Sequence, residues 1–186
     1  MAASPDITPD APKPRKKIGK LRWIVGVIVC LVLMLTWSLF FTNDLRALEV
    51  ISGSMDPTLI VGDRLIVWDL EKEDPKRGDV VVLESPDDDG PELVKRVIGI
   101  PGDTVSSQHG VFYLNNAPSG PPDGGKNFHP GAQNYTHTLA PGEYYLLGDN
   151  RTVSHDSSEF GPVNRQLIHG RVVYRYAPLG RFGKVQ

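Results

Sequence analysis

Cysteine is almost missing from this chain: Cys30 is the only one in 186 residues, and it falls inside a long apolar run. No disulfide can form within the chain, so cysteine usage says nothing of its redox compartment. Metal-ligand spacing is missing as well. The five histidines, His109, His129, His137, His155 and His169, match no metal-binding pattern and no strong triad motif, and no metal site is expected. Positive charge is scarce outside the N-terminus. Residues 23–186 carry 14 basic against 20 acidic side chains, which argues against a nucleic-acid partner. After the apolar run there is no convincing amphipathic helix, no second spanning segment and no internal repeat.

What is present begins with that run. Residues 23–41, WIVGVIVCLVLMLTWSLFF, contain no charge. At helical rise they span about 28 Å, close to the ~30 Å hydrocarbon core of a bilayer. Six Lys/Arg and two Asp occupy residues 1–22, whereas Asp44 and Arg46 alone follow closely. The positive-inside rule therefore predicts a cytoplasmic N-terminus and an extracytoplasmic C-terminal part. A cleaved secretory signal is the competing reading, but the run exceeds the usual apolar core of 7–15 residues. Leu45-Arg46-Ala47 is also a poor cleavage site. An uncleaved single-pass anchor is expected, preceded by a disordered basic tail over residues 1–22.

Residues 42–186 are long enough for a real core. They hold short β-branched runs bounded by Gly, Pro and Asp, the signature of strands. Strands are predicted over 48–51, 64–69, 79–84, 93–100, 104–107, 111–114, 143–147 and 171–176. Residues 148–161 read as a long loop, and 104–142 as a small inserted β lobe with a polar, Gly/Pro/Asn-rich end. The predicted fold is mainly β and antiparallel, with residues 42–186 forming one extracytoplasmic domain. Asp87-Asp88-Asp89 reads most simply as a solvated loop.

Chemistry concentrates in three places. Ser52-Gly53-Ser54-Met55-Asp56-Pro57-Thr58-Leu59 closely follows the apolar run and sets a serine on a turn-prone, apolar-flanked segment. A hydroxyl is a weak nucleophile until a base takes its proton. Lys95, between Val94 and Arg96 on a predicted strand, can serve if burial lowers its pKa. Strand alternation then turns Arg96 to the opposite side, where it braces the site. The third place is the polar loop Gly148-Asp149-Asn150-Arg151 running on to Ser154, His155 and Asp156, which can bring a hydroxyl and a carboxylate to a buried lysine. Singly, each has a plain alternative: a loop serine, a solvated strand lysine, an Asx-stabilised turn.

Together these blocks resemble the bacterial type I signal peptidases, membrane serine proteases of the Ser-Lys class. The matching segments are residues 52–59, 64–67, 77–81, 94–103 and 148–161, in family order, covering most of the chain beyond the apolar run except 104–142. The resemblance implies Ser54 as nucleophile and Lys95 as general base. It implies an oxyanion hole from the Ser52 hydroxyl and the Ser54 amide, Ser154 as the residue orienting the lysine, and Arg96, Asp149 and Asp156 as supports. Val50, Met55, Leu59, Leu93 and Val94 match positions that line shallow pockets for small substrate residues. No cofactor is needed. The implied reaction is cleavage of signal peptides from secreted preproteins after an Ala-x-Ala motif through an acyl-enzyme, at the bilayer and near the secretion translocon. An apolar patch over 48–51 and 55–60 that includes Leu59 and Ile60 is a candidate for resting on that bilayer.

Three departures from the family pattern stand out. Ile51 replaces a proline common before Ser-Gly-Ser, Ser158 replaces a common arginine, and the lobe at 104–142 is short. Two other classes compete: a non-enzymatic anchored binding domain, and a self-cleaving repressor of the same β architecture. The second pairs with a DNA-binding helical domain, whereas this chain has a polybasic tail and an apolar span. A peptidase specialised for one secreted substrate differs only in the breadth of its cleavage.

Overall fold

A computed structural model describes residues 19–41, 45–71, 73–86, 90–122, 124–130 and 132–185. Residues 1–18 of the tail expected over 1–22 and the Asp87–Asp89 loop lie outside these residues; Lys20–Arg22, expected in that tail, are helical. Two compact units are separated near Leu39–Phe40.

The first unit holds α1 (Lys20–Phe41). Leucine, valine, isoleucine and tryptophan side chains face outward on every side, Trp23 and Leu33 being examples, and none of the span Leu21–Ser38 is buried. A helix apolar all round and of this length can cross a membrane by length and composition.

In the second unit every strand pairing among the described residues is antiparallel. The strands are β1 (Leu45–Glu49), β2 (Arg64–Asp69), β3 (Val80–Leu83), β4 (Leu93–Gly99), β5 (Thr104–Gln108), β6 (Val111–Leu114), β7 (Ala117–Pro118), β8 (Tyr135–Thr138), β9 (Glu143–Leu147), β10 (Val163–Asn164), β11 (Ile168–Ala177) and β12 (Gly183–Lys184). A main sheet runs β1-β2-β11-β3-β4-β9-β10, with β12 on β11. A four-stranded sheet runs β7-β6-β5-β8. The mainly β, antiparallel expectation holds, with adjustments to individual elements. β1 lies three residues before the predicted strand at 48–51, because its ladder to β2 begins at Leu45↔Trp68 and ends at Glu49↔Arg64. The 148–161 loop contains one helical turn, α2 (Ser157–Phe160), with Asp156 as its N-cap.

Alternation along the central strands divides the core. Val80 and Val82 of β3 join Val50, Met55, Leu59, Leu65 and Val67 on one face, while Val81 and Leu83 join Val97, Leu146 and Ile168 on the other. A strand buried on both faces has no polar alternation left, which is why the sequence reads Val-Val-Val-Leu. β9 alternates likewise: Tyr144 and Leu146 enter the second cluster, and Tyr145 and Leu147 a third with Ile98, Val105, Phe112 and Leu139. That third cluster cements the small sheet to the end of the large one. Gly99 sits in the seam, where a Cβ would lie 2.6 Å from Leu139 Cδ1.

Candidate active site

β4 and β9 set the frame. Their ladder runs from Gly99↔Tyr145 to Arg96↔Leu147 and stops one residue short of Lys95. There the second chain leaves the sheet as Gly148-Asp149-Asn150. β3 continues beside Lys95 on the other side, pairing it with Val81. A strand at this position shields a side chain from water, and Lys95 is only 2 % exposed. Its Nζ donates to the Ser154 hydroxyl at 3.1 Å.

Burial holds the Lys95 amine below its ordinary pKa of 10.5, since a desolvated ammonium loses hydration; Asp156 and then Glu159 oppose the shift by favouring the cation. Activity that requires a neutral amine rises with pH through this lowered pKa. Glu159→Gln removes one of the carboxylates that stabilise the ammonium. The acidic limb of the kcat/KM–pH profile is therefore expected to move to lower pH in that variant; an unmoved or upward-moved limb would separate Lys95 from the limb.

The loop that carries Ser154 is pinned from beneath. Asp156, fully buried, accepts from the Gly148 amide at 2.8 Å and the Ser158 amide at 3.0 Å. Backbone donors thus serve the carboxylate. Arg96 donates through Nε and Nη2 to both oxygens of Asp149, at 2.8 and 2.7 Å, and through Nη1 to the Gly78 carbonyl. Such a buried fork-to-fork pair fixes orientation, and removing one partner leaves an uncompensated charge at a cost of about 3–5 kcal/mol.

Ser54 reaches the same place from the opposite side. Its carbonyl accepts from the Asn150 amide at 3.0 Å, and Asn150 Nδ2 donates to the Gly53 carbonyl at 3.2 Å. Farther along the turn, Arg175 and Arg181 donate to the Thr58 carbonyl and both lie near buried Asp63, which accepts from the Ile60 amide. The Ser52 and Ser54 hydroxyls stand 3.4 Å apart. Gly148 is the meeting point: a Cβ there would lie 2.2 Å from Ser154 Oγ and 2.4 Å from the Ser54 carbonyl oxygen.

A cleft of about 280 Å³ opens beside the two serines, lined by Leu48, Val50, Ile51, Met55, Leu93 and Val94 among others. Leu59 does not line it. This residue is wholly buried in the cluster behind Met55, so it neither forms a pocket wall nor meets a bilayer, because the turn it closes folds its side chain inward. A larger hollow of about 590 Å³ lies at Asp69, Glu71, Glu73, Asp74, Arg165 and His169, but among the described residues its lining includes no hydroxyl, thiol or lysine. Among the described residues no group of acidic, histidine or cysteine side chains forms a metal cluster.

Ser52, Ser54, Lys95, Ser154, Arg96, Asp149 and Asp156 therefore converge, together with four of the five expected cleft residues. Asn150, Arg151, Glu159 and His129 were not singled out for the roles the structure gives them. Asn150 lies in a turn-rich motif whose habit of side-chain-to-backbone bonding was visible; His129 had no local signal at all.

The family model and the curated relatives agree on one family. A family model described as signal peptidase, peptidase S26, matches residues 20–177. Signal peptidase IB of Staphylococcus aureus is 32% identical over 181 residues, covering 87% of this chain and 92% of that protein. Signal peptidase I of Leptolyngbya laminosa is 34% identical over 198 residues, covering 98% of this chain and 92% of its own. A crystal structure of a signal peptidase I from Enterococcus faecalis V583 aligns with a TM-score of 0.42 and 29% identity, over 53% of this chain and 97% of the other.

Proposed function

Because the chain belongs to the signal peptidase family, peptidase S26, and so is a serine peptidase of signal peptides with an N-terminal apolar helix suited to membrane anchoring, we propose that it works through a Ser54–Lys95 dyad and cuts after Ala-x-Ala. The observation that carries the reading is the Lys95 amine, buried and held on the Ser154 hydroxyl beside the turn that bears Ser54.

Neutral Lys95 takes the Ser54 proton as Oγ attacks the scissile carbonyl carbon. The Ser52 hydroxyl and the Ser54 amide donate to the oxyanion that develops, a charge absent from the ground state. Collapse breaks the C–N bond, the leaving amine takes the proton from the Lys95 ammonium, and an ester on Ser54 remains. Water, losing its proton to Lys95, attacks that ester and frees the carboxylate of the signal peptide. The Ser54 proton is restored and the cycle closes.

Substrate geometry follows from the open edge of β4. Leu93 and Val94 have a ladder partner on the β3 side, while the β9 ladder begins only at Arg96. An extended peptide pairing along 93–95 presents alternate side chains to the cleft. Val50, Met55, Leu93 and Val94 offer shallow apolar walls suited to small residues. With basic residues before α1, the N-terminus lies in the cytoplasm of a bacterial cell, and the β domain works outside, close to the translocon that delivers its substrates.

The test is cleavage of a preprotein with an Ala-x-Ala site in liposomes, with the product N-terminus sequenced. A single cut after the second alanine is expected, lost when both alanines become leucine. Cleavage indifferent to those leucines, or at another position, would sink the specificity reading.

A further inference from the structure

The inserted lobe reaches the loop that carries Ser154. Arg151 and Ser154 are both buried, while Thr152 and Val153 between them stand exposed. This is a short bow held at its two ends. At one end Arg151 donates through Nε to the Gly148 carbonyl and through Nη1 to the Ser119 carbonyl and Asn127 Oδ1, its guanidinium standing 5.8 Å over the Phe112 ring. At the other end His129 Nε2 lies 3.2 Å from the Ser154 carbonyl oxygen. A carbonyl can only accept, so Nε2 carries the hydrogen.

His129 is itself well placed to hold. It is 6 % exposed, and its amide donates to the Gly110 carbonyl at 2.9 Å in the β5–β6 turn. Gly110 has φ +79, and a Cβ there would lie 2.6 Å from the His129 carbonyl oxygen, so the turn and the histidine backbone fit closely. Its ring also lies 3.8 Å from Glu159, the carboxylate that His155 binds at 2.7 Å.

We propose that His129 is a positioning residue: by fixing the Ser154 peptide it aims the Ser154 hydroxyl at Lys95 Nζ, and the inserted lobe thereby serves the reaction without touching substrate. The proposal rests on the reading of Lys95 as base and Ser154 as its orienting partner. It gives the lobe a role the rest of the site does not supply, since none of its described residues lines the cleft.

A double-mutant cycle between His129→Ala and Ser154→Ala tests it, with kcat and KM measured on a soluble Ala-x-Ala peptide using the full chain in detergent. His129→Ala is expected to lower kcat about 10- to 100-fold, the scale on which a displaced catalytic group costs rate, with KM within about twofold of wild type. In the Ser154→Ala background the same change is expected to cost less than about threefold, because the hydroxyl it aims is gone. His129→Gln, whose amide can take the place of Nε2–H, is expected to recover most of kcat. Equal losses from His129→Ala in both backgrounds would overturn the proposal, since a general loosening acts whether or not Ser154 has a hydroxyl. So would a folded His129→Gln as inactive as His129→Ala; this arm decides alone if His129→Ala does not fold. Lys95→Ala measured alongside keeps the premise separate: activity surviving there removes the base, whereas its loss together with an additive cycle removes only the role of His129.

Discussion

Lys95→Met is expected to lower kcat about 10³-fold or more while the protein keeps its fold and its affinity for peptide. Methionine keeps most of the stem volume and deletes the amine, so the loss reports chemistry rather than a cavity. Ser54→Ala should do the same, and the double variant should be no worse than either single one, because the proposed nucleophile and base would act as one unit. Peptide cleavage by each, with thermal unfolding as the control, checks this; a double variant much slower than both single ones would mean that the two residues work separately. Stability carries an independent signature. The native Lys95 pKa lies below its unfolded value, so between the two the unfolded chain binds more protons, and stability rises with pH across that window. Full stability is reached above 10.5 and is lost as pH falls through the native value. Lys95→Met removes this slope, so the difference between wild type and variant, measured by denaturant unfolding, should shift in favour of the variant as pH falls.

The same burial explains what was legible in the sequence. β2, β6 and β9 stand where β-branched and aromatic runs end at turn residues, and the valines of β3 announce a strand covered on both faces. Short elements without such runs escaped. β8 (Tyr135–Thr138) is polar on its outer face and exists because β5 supplies its partner, and α2 is one turn long, too short for a helical period to appear. β11 begins at Ile168 rather than at 171 because it pairs with both β2 and β3, using bulges at Gly170 and beyond that no local pattern encodes. In the site, the nucleophile turn, the strand lysine and the polar loop were readable as blocks, since each keeps its spacing within a few residues. Contacts between distant segments were not. Arg151 is as buried as a core leucine although arginine almost never is, and the carbonyls offered by Ser119 and Gly148, with Asn127 Oδ1, help make that burial tolerable. His129 reaches Ser154 across 25 residues, and nothing next to it in the chain foretells that reach.

Gly148→Ala is the substitution expected to damage the site most from outside the group that performs the chemistry. A methyl group at 148 would stand 2.2 Å from Ser154 Oγ and 2.4 Å from the Ser54 carbonyl, both far inside van der Waals contact. The Ser54 side cannot give easily, because its carbonyl is held by the Asn150 amide and the turn beyond it by Arg175 and Arg181. The Ser154 side is held by Lys95, and its carbonyl by His129. Relief must then come from swinging the Ser154 hydroxyl off Lys95 or from parting the two loops, and either change disturbs the proposed pairing of Ser54 with Lys95. A displacement of about 1 Å costs on the order of 10²-fold in rate, and overpacking costs about 1–3 kcal/mol in stability. Gly148→Ala is therefore expected to lose about 100-fold in kcat, with KM little changed and Tm lowered by several degrees. Ser154→Ala in the same chain removes the nearest of the clashing atoms and leaves the Ser54 carbonyl oxygen at 2.4 Å and Ser154 Cβ at 2.6 Å. The pair should therefore regain part of the lost stability without regaining activity, and unfolding and peptide cleavage measured on the single and double variants decide it. If the double variant is no more stable than Gly148→Ala alone, contact with the Ser154 hydroxyl is not what the added methyl group costs, and room for that hydroxyl is not what this glycine is there to provide.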